Sequence, residues 1–396
     1  MGLWSLKDND WPKLRHLFKL LFDGRGDAGL DNSSSAFSLP DNDWVGLRNI
    51  LQRLFWCRCC DIRAFSLPVG DWVKVRHLLF RLSRCRCNRP ASIWHINSDL
   101  ELNWIYDTGD HCRDVHLDGS GNVFAAGNRA NSKSVWKLNS SGVLIWDYDT
   151  GGTTEAVAAK DGSFVYITGG RVSSKDIWKL NADGTLNTSG GNGVTSGASI
   201  AVAVNTVCVG YYSTPGNEVI EYNDSLSFRW GNALDFNSTD QHDVILDASE
   251  NVYFVGDANA SGYTTHKYNT SGALQWRKYL GAGATGVAFN PAETLVYIAL
   301  GAEVSGYSVR TVTSDGVTVA DFCTTGSAAK GVAVDAAGNV YVSGTRNNNV
   351  GGNYYSVWKF NSSGTFVKGY DTTGNTYHIQ VSGDGSAIVA CGDRIT

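Results

Sequence analysis

What most limits this chain is a unit of forty-odd residues that recurs from residue 113 to the C-terminus. It is clearest over residues 331–369, where β-prone runs at 332–334, 340–343, 354–360 and 365–368 are separated by turn chemistry. Asp335-Ala336-Ala337-Gly338-Asn339 divides the first two runs and Ser362-Ser363-Gly364 the last two, so the unit predicts a four-stranded antiparallel meander. A Gly is expected to close the second strand at Gly127, Gly169, Gly210, Gly256, Gly301, Gly344 and Gly392, with steps of 42, 41, 46, 45, 43 and 48. An Asn ends the third strand at Asn97, Asn139, Asn181, Asn223, Asn269 and Asn361, and the fifth unit carries Thr313 there. Four short strands at a period in the forties are the signature of propeller blades, which bury their apolar faces only by stacking.

The ends of the array set the count. Residues 93–109 supply only a third and a fourth strand, and residues 375–392 only a first and a second. Joined, they make one blade, so the chain is expected to close a seven-bladed ring across its own ends and leave no open edge there.

Units such as VAVDAAGNVYVSG followed by SVWKFNSSG resemble the seven-bladed β-propeller repeats of bacterial and phage proteins, and WKLNSSGVLIWDYDTGG is similar to quinoprotein-type blades. The resemblance spans residues 93–396 and implies an all-β fold. Propellers of this kind serve as enzymes, lectins and structural parts alike, so it fixes no activity. Quinoprotein repeats keep a tryptophan in register across most blades. Here the fourth-strand Trp is missing from blades two, five and six, and no cofactor is expected.

Residues 1–92 read as a separate appendage. AFSLPDNDWVGLRNILQRL and AFSLPVGDWVKVRHLLFRL repeat at a step of 28 residues from Ala36 to Ala64, and WSLKDNDWPKLRHLFKLLF from Trp4 is a third copy. In each, an Asp (Asp10, Asp43, Asp71) precedes a Trp (Trp11, Trp44, Trp72) as an N-cap would, and apolar residues follow at helical spacing. Three short amphipathic helices are expected, too short to be stable unpartnered. Packing together, docking on a larger assembly and lying on a membrane surface are the readings their apolar faces allow, and docking fits the linker-like residues 23–35. Trp11 and Arg15 (with Arg48 and Arg76 as its counterparts) are the candidate partner-docking residues, with Phe18 on the apolar face.

Charge follows the same division. Residues 1–90 hold fifteen Lys and Arg against nine Asp and no Glu (+6), which leaves −11 of the net −5 for the remainder. Positive charge interspersed with nine Asp argues against nucleic acid, and no stretch reaches a membrane-spanning length, so neither nucleic acid nor membrane is an expected partner. MGLWSLKDNDW lacks the apolar core of a secretory signal, and Leu6 stands where a myristoylation motif wants Ser or Thr. The clusters Cys57, Cys59, Cys60 and Cys85, Cys87 suit free thiols, disulfides or a zinc site, with C-x-C tighter than the usual zinc spacing. Arg25-Gly26-Asp27 is a chance-level match to an adhesion tripeptide.

Within the ring, Trp94, Trp136, Trp178 and Trp358 fall in third strands and Trp104, Trp146, Trp230 and Trp276 in fourth strands, as wedges between blades. The Asp-initiated turns at Asp118, Asp247 and Asp335 have too few carboxylates for calcium and read as hairpin turns. First strands line a propeller's channel, which makes Asp114, His116, Glu155, His242, Asp243, Lys330, Tyr377 and His378 the candidates for channel chemistry. No G-x-S-x-G elbow, H-E-x-x-H pair or phosphate loop occurs, and no catalytic, cofactor or metal residue is assigned. The expectation is a non-enzymatic structural or binding propeller, present in multiple copies and held by residues 1–92 to protein partners in a phage virion, as a tail component. A glycan-binding adhesin using loops such as residues 346–355, and an enzyme with a channel site, are the alternatives.

Overall fold

The computed structural model describes residues 91–160, 162–191, 196–212, 219–232, 243–257, 262–323, 325–349 and 353–395. The expected appendage helices, the Cys57–Cys87 clusters, Trp11 and Arg15, and His242 lie outside them. The described strands form seven four-stranded antiparallel sheets. Blade 1 covers residues 112–148, blade 2 154–190, blade 3 197–232, blade 4 243–278, blade 5 284–323 and blade 6 329–370. Blade 7 combines residues 376–395 with Ala91–Asn97 and Leu102–Tyr106, and the N-terminal strand lies beside the C-terminal one with Trp94 opposite Ala390 and His95 opposite Val389. Each blade's first strand abuts that of the next, and the seventh abuts the first, so the ring is shut.

Turn chemistry accounts for the Asn column. The Asn139 side-chain oxygen accepts the backbone N–H of Ser141 at 3.0 Å and of Val143 at 2.9 Å, and Asn223, Asn269 and Asn361 repeat the pattern. Thr313 preserves half of it, its hydroxyl accepting Val317 N–H at 3.0 Å. Asp118, Asp247 and Asp335 act likewise, accepting the N–H of Asn122, Asn251 and Asn339 at 2.8, 2.9 and 2.8 Å. Their oxygens are occupied by the turns they form, as hairpin chemistry predicts.

The Gly column departs from expectation. In blade 1 the second strand runs Val123–Ala130 and passes through Gly127. A Cβ there would come 2.5 Å from the His111 carbonyl oxygen, and one at Gly169 2.5 Å from that of Thr153. In these blades the glycine admits the bulged start of the first strand and does not end the second, whereas in blade 4 the second strand stops at Val255 with Gly256 next, as expected. Pairing register also moves two members: opposite the equivalent first-strand residues stand Tyr211, facing Gly197, and Leu300, facing Ala284. In blade 3 the space comes from a glycine on the other strand.

The tryptophans do wedge between blades. Trp94, Trp136, Trp178 and Trp358 are buried. Fourth-strand Trp104, Trp146, Trp230 and Trp276 each lie on the turn of the following blade and donate their indole N–H to a turn carbonyl: Ser140 (2.9 Å), Ala182 (3.0 Å), Thr270 (3.2 Å) and Ser314 (2.9 Å). The residue beneath each ring is a glycine at positive φ, Gly142, Gly184, Gly272 or Gly316, where a Cβ would stand 2.6 to 2.7 Å from the indole. Blades 2 and 6 have Thr188 and Lys368 in the Trp position, and the turns they face carry Leu226 and Leu100, which keep the positive φ without a ring above them.

Candidate functional site

Because the first strands form the inner wall, successive positions along them form rings around the axis. The channel they enclose has a volume of about 720 Å³ and is lined from all seven blades. Asp114, His116, Glu155, Asp243, Tyr377 and His378 line it, so six of the eight sequence candidates converge on one cavity. Lys330 occupies the strand position that Arg113, Glu155 and Tyr377 hold in their own blades, and is not among the lining residues.

The lining is graded along the axis. At the end where the first strands begin, Glu155 meets Arg113 at 3.0 Å and the Tyr212 hydroxyl at 3.2 Å, while Arg113 also donates to Asn128 at 2.9 Å. His111 lies 3.2 Å from Asp393, which also accepts the Tyr377 hydroxyl. Burial raises the Glu155 pKa above the ordinary carboxylate range against the opposing pull of Arg113 and Tyr212. At the far end the ring is apolar, with Ala159, Val202, Leu246, Phe289, Val334 and Val381.

Between these ends sits the ring formed by Asp114, Ala156, Ser199, Asp243, Gly286, Gly331 and His378. Asp114 binds the His378 Nδ1 at 2.7 Å, accepts its neighbour Val115 N–H at 2.8 Å and reaches across to accept Val157 N–H of blade 2 at 2.8 Å. Asp243 repeats this arrangement, accepting Val244 N–H at 2.8 Å and Val287 N–H of blade 5 at 2.9 Å. His378 Nδ1 also lies 3.2 Å from the Val115 carbonyl of blade 1. Each charged group thus binds the backbone of the following blade's inner strand. At Gly286 and Gly331 the inner strands approach so closely that a Cβ would come 2.9 Å from Gly331 Cα and 3.2 Å from His378 Cα, and no side chain is needed.

Electrostatics follow from burial and neighbours. Burial alone lowers the His378 pKa, but the charge and hydrogen bond of Asp114, the charge of Asp243 and the Val115 carbonyl outweigh it and push it up to about 9. Asp243 is pushed up to about 6 by burial, opposed by His378 and the Val287 N–H. His116 is lowered by burial, against the pull of Asp114. Near neutral pH the wall therefore holds an Asp114–His378 ion pair and a largely ionised Asp243. Among the described residues no cluster of three or more His, Cys, Asp or Glu has the geometry to hold a metal ion.

The described residues form a seven-bladed β-propeller. No family model matches it, and no curated relative does. Among solved structures it is similar to a catalytically inactive virginiamycin B lyase from Staphylococcus aureus with quinupristin, at TM-score 0.56 and 12% identity over 76% of this chain and 98% of that one. It is similar to a streptogramin B lyase (TM-score 0.56, 11% identity, 77% and 96% covered) and to the RRP9 WD40 repeats (TM-score 0.55, 12% identity, 77% and 99% covered). At such identities the likeness is one of fold. Enzymes and WD40 repeats share this architecture, so the fold by itself does not make the chain a non-enzyme.

Proposed function

We propose that this chain is a non-enzymatic binding or structural propeller, carried by its N-terminal repeats into a larger protein assembly, with a phage virion as its setting. The observation that carries this reading is the use made of the channel's charged groups. Asp114 and Asp243 are committed to the backbone of the following blade, and His378, with its pKa pushed up to about 9 beside Asp114, is protonated near neutral pH, where a general base would need a lone pair directed at a substrate. A ring fastened this way is a stiff platform, and the repeated Asp-Trp-x-x-x-Arg segments at Trp11, Trp44 and Trp72 supply the means of attachment.

The test uses the full chain with Trp11→Ala, Trp44→Ala and Trp72→Ala combined. The ring should keep its β circular-dichroism signature while the chain sediments apart from the high-mass assembly in a density gradient of source lysate. Normal co-sedimentation overturns the docking half of the proposal. Turnover of any substrate that is lost in His378→Gln or Asp243→Asn at a temperature where both variants remain folded overturns the non-enzymatic half.

A glycan-binding reading has its own observation. Asp371 holds the Arg346 guanidinium at 2.7 and 2.8 Å, and that guanidinium lies 4.3 Å over the ring of Tyr354, which is half exposed. A rigid aromatic beside fixed donors suits a sugar. Glycan-array binding by the wild type that disappears in Tyr354→Ala supports this reading, and an array with no binding removes it.

A further inference from the structure

Residues 91–106 of blade 7 run on into blade 1, but its C-terminal strand, Ala387–Ile395, is tied to that half only by pairing with Ala91–Asn97 and by packing at a seam with the first strand of blade 1. Two columns meet there. In blades 2 and 7 the residue that begins the first strand is a threonine that points into the preceding blade. The Thr154 hydroxyl bonds the Gly127 N–H at 2.9 Å and the Ser134 carbonyl at 2.6 Å, and Thr376 bonds Gly344 N–H at 3.0 Å and the Ser356 carbonyl at 2.6 Å. At the seam this residue is Cys112. In the facing column, which holds Ala126, Thr168, Gly210, Val255, Ala299 and Ser343 in the other blades, blade 7 carries Cys391.

Both cysteines are free, and both are fully buried in one apolar cluster. Among the described cysteines, Cys208 and Cys323 belong to other clusters. A threonine-to-cysteine change in one column explains nothing by itself, since Cys112 gives up the hydroxyl's strong bonds for sulfur contacts to Asp114 and Ala126 carbonyls at 3.5 and 3.4 Å. A second cysteine, in the same buried cluster and on the C-terminal strand that only pairing and packing tie to the start of the ring, gives the change a chemical sense.

We propose that Cys112 and Cys391 are a disulfide-forming pair that covalently locks the ring at its closure. The pair closes a loop of 279 residues (391 minus 112), the long-loop case in which a cross-link restricts the unfolded chain most. The balanced step is thiol–disulfide exchange: the two thiols give up two protons and two electrons, one S–S bond forms, and a disulfide oxidant such as oxidised glutathione is reduced to two thiols. Burial raises the Cys391 thiol pKa, with the neighbouring Cys112 adding to it, so thiolate is scarce in the closed ring. The bond therefore forms while the seam is open, during folding or transient opening, and the shut ring then shields it from reductant.

The experiment compares full-length protein refolded with oxidised glutathione against protein refolded with a reducing thiol, each alkylated in denaturant and mapped by mass spectrometry. Oxidised refolding should yield a Cys112–Cys391 linked peptide lighter by two hydrogens than its parts, and a Tm raised by about 5 °C. The gain should vanish in Cys112→Ala and in Cys391→Ala, each compared with its own reduced form so that any packing loss cancels. Two alkylated thiols after oxidising refolding, or a linked ring with no gain in Tm over the reduced one, overturn the proposal. Should either variant fail to fold, the wild-type pair of refolds decides it.

Discussion

At the scale of single residues, the tryptophans and glycines of adjoining blades act as paired parts. An indole brings ~150–250 Å² to be covered, and the surface it lies on can carry no Cβ. Gly184 at φ +86 would place a Cβ 2.7 Å from the Trp146 ring, so Gly184→Ala meets both backbone strain and a clash. It should cost on the order of 2 kcal/mol in urea unfolding. In a Trp146→Ala background the clash is gone and only the strain remains, so the same substitution should cost about 1 kcal/mol less, a coupling that a double-mutant cycle resolves. Leu226 and Leu100, which face Thr188 and Lys368, are that double change already made in the sequence. Additive costs would mean that the ring does not rest on the glycine.

His378 gives the residue-scale pH dependence. Its folded pKa, about 9, lies above the ordinary 6.5, so the folded chain holds a proton that the unfolded chain releases between those values. Its contribution is whole below pH 6.5 and is lost as pH rises through 9. Tm should fall across that window, and His378→Gln should flatten the slope while lowering stability at pH 6 by on the order of 2 kcal/mol. Asp243, also raised, adds a loss of stability from about pH 4 to 6, which Asp243→Asn should remove. A Tm that stays level between pH 6.5 and 9 would contradict the ion pair.

At the scale of strands, three blades carry the same clasp. Arg129, Arg346 and Arg394 on second strands hold Asp149, Asp371 and Asp107 just beyond fourth strands, each through two bonds of 2.6 to 2.8 Å. The four-strand period, the shared blade and the wedge role of the tryptophans are legible in the sequence because each rests on local pattern: alternation, turn residues and a fixed step. The clasp is not. Its two columns are visible, but Arg394 and Asp107 stand 287 residues apart, and only the closed ring makes them neighbours. The glycine column misleads for a related reason, since a glycine that ends a strand and one that admits a crossing backbone look alike in sequence. The channel residues are legible as a set, because first strands line any propeller, whereas their attachment to the next blade depends on a two-residue register that no spacing reveals. Arg394→Ala should lower Tm by about 2–4 °C. It should also speed proteolysis at residues 91–106 more than Arg129→Ala does at residues 112–148, because Arg394 alone of the three joins the two halves of blade 7. Equal proteolysis would mean that the clasp adds nothing special to closure.

At the scale of the whole molecule, closure decides whether seven marginal sheets behave as one object. A four-stranded blade buries its faces only against neighbours, and a ring with a gap leaves two faces and an inner edge open. The C-terminal strand, Ala387–Ile395, pairs on one side with residues 376–381 and on the other with Ala91–Asn97, so it joins both halves of blade 7. Removing residues 387–396 strips that strand from the centre of its sheet and takes Cys391 and Arg394 with it. The shortened chain should elute as multimers and aggregates in size-exclusion chromatography, with a broad unfolding transition in place of a cooperative one. Cutting instead between blades 1 and 2 and joining the present ends of the ring by a short linker should be tolerated, because the strand is then held covalently from both sides while every blade contact is kept. If the truncated chain stays monomeric and unfolds cooperatively, the blades support themselves locally and closure is a convenience of topology, not the source of the ring's cohesion.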